Sequence, residues 1–237
     1  DRHDLPTFFA LALLGIVVNQ VLFLSGLALT TAIDATVLVA TIPAFTLSVA
    51  IMAGRETSSL PKVLGVGLAF GGVVALVGGA NFGSQNFVGN AMIAANALSY
   101  SVYLVASRPQ LERHDPLTLV AWTFALGALV MLPLAAPDFL RLPWSAISWT
   151  TWAGLAYIVI FPSVVTYYLN NWALKRVPSS MVANFVYLQP LVAAALAIPL
   201  LGEGLSPNTV VAAALIVLGV MLGTRSAGLP RRVAGAR

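Results

Sequence analysis

Eight apolar runs of membrane-spanning length, joined by short loops, leave this chain very few folds to choose from. They cover about 7–28, 34–53, 61–79, 89–108, 116–135, 149–173, 179–201 and 207–224. Roughly 20 mostly apolar residues suffice to cross the hydrocarbon core as an α-helix. A transmembrane barrel would instead show segments of about ten residues with alternating polarity, and no such alternation is visible. Of the 237 residues, 59% are hydrophobic and 8% charged, against about 25% charged in a soluble domain. A soluble fold of this size could not hide so much apolar surface. The predicted fold is an all-α membrane protein, a polytopic helical bundle with the lipid bilayer as its surroundings.

The basic residues orient the spans. Arg2, Arg55, Lys62, Arg108, Arg113, Lys175, Arg176, Arg225, Arg231, Arg232 and Arg237 fall at one set of loops and ends; only Arg141 falls in the alternate set. By the positive-inside rule both ends of this chain are expected in the cytoplasm. Trp144, Trp149 and Trp152 cluster at the opposite surface, as an interfacial belt would. Arginine far exceeds lysine and alanine is abundant, which suits a GC-rich bacterial genome and a bacterial inner membrane. The first residues carry neither a start methionine nor a signal-peptide n-region.

The sequence repeats. A shift of 147 residues lays Thr41–Glu56 (TIPAFTLSVAIMAGRE) on Leu188–Glu203 (LQPLVAAALAIPLLGE), matching Pro43 to Pro190 and Glu56 to Glu203. Ser59 meets Ser206, and Gly72-Val73 meets Gly219-Val220. The first three spans pair with the last three, yet the loop charges give them opposite orientations. This is an inverted-topology repeat, typical of secondary transporters. Residues 1–80 form a first repeat of three spans, 81–225 a second of five, and 226–237 a basic cytoplasmic tail. Two spans are expected ahead of Asp1, giving ten in the whole protein.

At these residues a family resemblance becomes specific. ALKRVPSSMVANFVYLQPLVAAALAIPLLGEGLSPN in the second repeat, and GLALTTAIDATVLVATIPAFTLSVAIMAGRETSSLP in the first, resemble the EamA-like family of the drug/metabolite transporter superfamily. The first copy departs in having Gly26 where the second has Ala173. The resemblance covers essentially the whole chain. It implies ten helices, a central cavity and alternating access, and it identifies no substrate.

Polar residues inside spans must find partners or a wet cavity. The candidates for a substrate cavity are Asn19 and Gln20 in the first span, Thr41 in the second, and Asn96, Tyr100 and Tyr103 on one face of the fourth. Tyr167, Asn170 and Asn171 follow in the sixth, and Asn184, Tyr187 and Gln189 in the seventh. For any one of them an interhelical hydrogen bond is as good a reading as substrate contact. As a group they favour a polar cavity, and the resemblance points to the same helices. Tyrosines and amides suit small amphipathic solutes such as amino acids or aromatic metabolites. Gln189-Pro190 is expected at a cavity-facing bend, with Pro43 as its inverted mate. Glu56 and Glu203 read as interfacial turn anchors ahead of a Ser cap and a Pro at the next helix start. A gating role is the weaker alternative for them. Gly67/Gly71 and Gly219/Gly223 allow close helix contact, first of all within the chain, with a homodimer seam as the alternative.

The sequence excludes as much as it suggests. All eight acids lie at or near span ends and both histidines lie in loops, so no buried carboxylate or imidazole is expected as a proton relay. No basic residue lies mid-membrane to bind phosphate. No catalytic residue, metal site or cofactor is expected, nor a nucleic-acid partner, and an enzyme reading finds no fingerprint. A secondary transporter or exporter of small organic metabolites is the function that fits. A channel, or a structural or assembly membrane protein, is the alternative.

Overall fold

The computed structural model describes residues 2–77, 86–144, 147–192, 195 and 207–225. Among them all regular structure is helical. The helices are α1 (Leu5–Ala28), α2 (Ala32–Val39), α3 (Ile42–Met52), α4 (Leu60–Val77), α5 (Phe87–Arg113), α6 (Pro116–Arg141), α7 (Trp149–Leu174), α8 (Ser179–Asn184) and α9 (Pro207–Arg225). A 3₁₀ turn, Phe185–Tyr187, comes after α8 and leads into helical residues 188–192. Five described helices have the length and hydropathy of membrane spans, and two shorter apolar ones lie within α4 and α9. The expected eight spans differ at the seventh. It is broken after six residues, and its expected end, with Pro199, Glu203 and Ser206, lies outside the described residues, as does the tail from 226.

Local chemistry explains the helix ends. Thr31 accepts the backbone N–H of Asp34 at 3.0 Å and starts α2. Asp115 does the same for Leu117 at the start of α6, and Ser148 for Thr151 at the start of α7. Ser59 stands just before α4, where a cap is expected, but its hydroxyl is buried without a hydrogen-bond partner. Two helices widen into π turns, at Leu13–Val17 in α1 and Val159–Val165 in α7. In the second, Pro162 cannot donate to the carbonyl of Ile158, and the Ser163 hydroxyl donates to it instead at 3.2 Å.

The chain forms two compact units. One comprises Asp1–Asn19 and Ala106–Arg176, the other Gln20–Val105 and Val177–Arg237. Each unit draws on both repeats. In the first, α1 packs along α6: a Cβ on Gly127 would come within 2.9 Å of the Ile16 side chain. Phe124 meets Tyr167 edge-on at 5.1 Å.

The second unit is organised around α4 and α9. A Cβ on Gly65 would lie 2.4 Å from the backbone nitrogen of Gly223, and one on Gly219 would lie 2.4 Å from that of Ala69. The backbones touch because side chains are missing there. The expected close contact is present at Gly219 and Gly223. At Gly67 and Gly71 it is not: both face open space, and the glycines that meet α9 are Gly65 and Gly72. Positions related by 147 mirror one another across this seam. Gly72 would clash with Ile216 and Ala212, while its mate Gly219 would clash with Ala69 and Gly65, the mates of those two residues.

Candidate functional site

In the second unit, two proline-marked breaks meet at one pocket. The α2–α3 rod is interrupted at Ala40–Thr41, two residues before Pro43. The seventh span is interrupted at Phe185–Tyr187, three residues before Pro190. Under the 147-residue shift Ala40 corresponds to Tyr187 and Val39 to Val186, so the breaks are equivalent. Ala40 and Tyr187 are buried in the same core cluster, with Ala69, Val73, Ile216 and Val220. The cause is the missing proline N–H. Pro43 cannot donate to the carbonyl of Val39, nor Pro190 to that of Val186, and each helix yields one turn upstream. At the first break the Thr41 hydroxyl donates to the neighbouring Leu38 carbonyl at 2.6 Å.

The pocket has a volume of about 350 Å³. Phe23 and Leu27 of α1, Ala32, Ala35, Thr36 and Val39 of α2, then Ala40, Val186, Gln189 and Pro190 line it. None of these side chains is charged. Thr36 is occupied by the Ala32 carbonyl at 2.7 Å, which leaves the exposed Gln189 amide as the main side-chain hydrogen-bonding group. An apolar wall with few polar groups is the usual composition of a small-molecule site.

The remaining candidates are distributed as follows. Pro43 is buried in α3. Tyr187 is fully buried and its hydroxyl donates to the Val66 carbonyl at 3.2 Å. Asn184 is buried beside Gly223: a Cβ there would lie 2.7 Å from Nδ2. Asn96 and Tyr103 are buried on α5, and Tyr103 stacks on half-buried Tyr100 with ring centroids 5.9 Å apart. Gln20 is exposed on α1. In the first unit, the Tyr167 hydroxyl donates to the Gly15 carbonyl, inside the π turn, at 2.7 Å. Buried Asn171 donates to the Tyr167 carbonyl at 2.9 Å, while Asn19 and Asn170 are half-buried. The pocket thus gathers Gln189 and Pro190, together with apolar residues that carry no signal in a membrane sequence.

The sequence profile of the EamA-like transporter family matches residues 2–78 and 87–225, nearly the whole chain. The chain belongs to the EamA-like transporter family. An uncharacterized transporter of Archaeoglobus fulgidus is 31% identical over 90% of this chain and 74% of its own length. A WAT1-related protein of Arabidopsis thaliana is 29% identical over 92% of the chain and 64% of its own. A protein of Streptantibioticus cattleyicolor named "Probable terminal-alkyne amino-acid exporter" is 29% identical over 94% and 74%. A solved crystal structure superposes with a TM-score of 0.78 at 23% identity, covering 92% of this chain and 76% of that one, and shares its fold. Membership makes the chain a membrane transporter by family and accounts for its apolar helices.

For an EamA-like chain the acids are the surprise. They stand near helix ends as expected, but Asp4, Asp34 and Glu56 are not solvated: Asp4 is 5% and Asp34 1% exposed, and the Glu56 side chain is 4% exposed. The expectation that no buried carboxylate is available is therefore corrected. Asp4 sits 3.3 Å from Arg113 and 3.0 Å from His114. Asn86 donates to Asp34 at 3.4 Å. Glu56 pairs with Lys62 at 3.0 Å, and this pair is buried rather than exposed at the surface. Glu56 is expected to anchor its own turn through backbone N–H groups; the N–H and hydroxyl that its oxygens accept are those of Ser180 on α8. The sequence held one signal for this: Lys62 lies inside an apolar span, where an ammonium needs a counter-charge.

Proposed function

We propose that this EamA-like chain is a secondary transporter that moves small amphipathic organic metabolites, amino acids among them, by alternating access, and that the pocket at the two breaks belongs to its path. The observation that carries this reading is the meeting of two equivalent helix breaks on one uncharged pocket. Broken helices beside a mid-membrane cavity are how repeat-built transporters expose backbone groups to a solute. The Val39 carbonyl released by Pro43 supplies a neutral acceptor, Gln189 adds a donor and an acceptor, and the apolar wall takes a side chain or ring. The Streptantibioticus relative, named as an amino-acid exporter, supports the substrate class. The arginine and lysine distribution supports cytoplasmic placement of both ends of this chain. The polar candidates on α5, α7 and the seventh span remain part of the proposed path or its packing.

The test is counterflow in proteoliposomes loaded with amino acids or aromatic metabolites. Saturable, counterflow-competent uptake is expected. Ala35→Trp, which fills the pocket from α2, should lower flux at least tenfold while the protein still elutes as a single folded species. Flux without saturation, or flux indifferent to Ala35→Trp, overturns the proposal.

A further inference from the structure

The turn between α3 and α4 is clamped to the start of α8. Glu56 Oε1 accepts the backbone N–H of Ser180 at 3.1 Å, and Oε2 accepts the Ser180 hydroxyl. Lys62 Nζ lies 3.0 Å from the same carboxylate and also donates to the Thr57 carbonyl at 3.3 Å. Two further bonds reinforce the joint. The Ser179 hydroxyl donates to the Leu104 carbonyl at 3.2 Å. Arg55 donates at 2.7 Å to the carbonyl of Val105, which cannot receive its regular helical bond because Pro109 stands four residues on.

The pocket runs from the breaks at Ala40 and Val186 to the other end of the same rods. Its residues Leu27 and Ala32 flank the 29–31 turn, whereas Glu56 lies just beyond Met52. From Ala32 to Met52 the rod is about 30 Å long at 1.5 Å per residue, close to the thickness of a bilayer core. The repeat does not supply the partner side chains of the clamp a second time. Ile33 stands 147 residues before Ser180 and Thr209 stands 147 after Lys62, so neither the Ser180 hydroxyl nor the Lys62 ammonium is duplicated.

We propose that Glu56 is a positioning residue of the transport cycle: its hold on Ser180 keeps the chain shut at the Glu56 end while the pocket opens towards the 29–31 turn, and it must let go for solute to leave at the Glu56 end. Letting go is chemically mild. It breaks two hydrogen bonds to Ser180 and leaves the pair with Lys62 intact, because Lys62 and Glu56 belong to the same turn and helix start. The carboxylate is never stranded alone. With its partner side chains not duplicated, the clamp biases the resting population towards closure at its own end. The inference rests on the alternating-access reading above.

The chain contains no cysteine, so a single reporter suffices. Gln189→Cys is labelled with a membrane-impermeant maleimide applied from each face of sealed vesicles, with Thr57→Cys and Thr31→Cys, both at exposed positions, marking the two faces. With the clamp intact, Gln189→Cys should react from the Thr31 face. Adding Glu56→Gln should raise labelling from the Thr57 face roughly tenfold, a typical coupling size. Ser180→Ala, which removes one of the two bonds, should raise it less. Unchanged face-to-face ratios in both variants overturn the proposal; if Glu56→Gln does not fold, Ser180→Ala alone decides. A merely structural carboxylate would lower yield or melting temperature without moving the ratio. Flux with a ratio that never shifts refutes the clamp and spares the carrier. A shifted ratio without flux supports the clamp and refutes the carrier.

Discussion

The α4–α9 pair and the broken pair of rods come from the same duplication and do opposite jobs. α4 and α9 are joined by Gly65, Gly72, Gly219 and Gly223, which let backbone lie on backbone. The rods 32–52 and 179–192 carry Pro43 and Pro190 at matched places and break one turn earlier. A missing side chain seals two helices without interrupting either; a missing N–H interrupts a helix and releases a carbonyl. The difference between a seam and a working surface therefore rests on a few residues in each helix.

The comparison can be broken at several points. The largest effect is expected at the clamp: Lys62→Met removes the counter-charge from a carboxylate whose side chain is 4% exposed and leaves it only its Ser180 bonds, and losing one partner of a buried pair costs about 3–5 kcal/mol. A thermal-unfolding series in detergent should show it, with Glu56→Gln/Lys62→Met partly restoring stability. Next comes the seam. Gly219→Ala places a carbon 2.4 Å from backbone that cannot yield, and overpacking of this kind costs about 1–3 kcal/mol. If Gly219→Ala melts like the native protein, the seam is not held by backbone contact. At the breaks, Pro190→Ala returns an N–H to the Val186 carbonyl. Stability should hold or rise while turnover in proteoliposomes falls several-fold, and Pro43→Ala should behave alike. The smallest change belongs to Gly67→Ala, which faces open space. It should be neutral or gain up to about 1 kcal/mol from helix propensity; a loss as large as that of Gly219→Ala would erase the distinction between the two glycine sets.

Much of this was readable in the sequence, for a physical reason. Hydrocarbon imposes a length on a helix, and five of the eight apolar runs are helices of that length among the described residues. The 147-residue shift pairs Pro43 with Pro190, and the breaks stand two and three residues ahead of them. Contact within a span was harder. Gly67 and Gly71 look as good as Gly65 and Gly72, because spacing does not say which face meets α9. Phe23, Leu27 and Val186 line the pocket, yet in a membrane sequence they resemble any lipid-facing residue. Asn184 and Tyr187 need partners inside a bilayer, and composition cannot say whether a helix or a solute provides them. Lys62 counted as a loop charge although its side chain is buried against Glu56.

The π turn in α1 has a consequence for changes of length. Each added residue rotates the rest of the helix by about 100°. Before Leu13–Val17, Phe8 and Leu11 are buried in the first unit; after it, Phe23 and Leu27 line the pocket in the second. Deleting Ile16 would leave an unbroken, well-bonded α-helix of the same hydropathy. A π turn holds one residue more than an α turn, so the loss is taken up within Leu13–Val17 and the face presented by Val18–Ala28 is kept. Outside these five residues the loss of one should disturb α1 far more than the same loss within them.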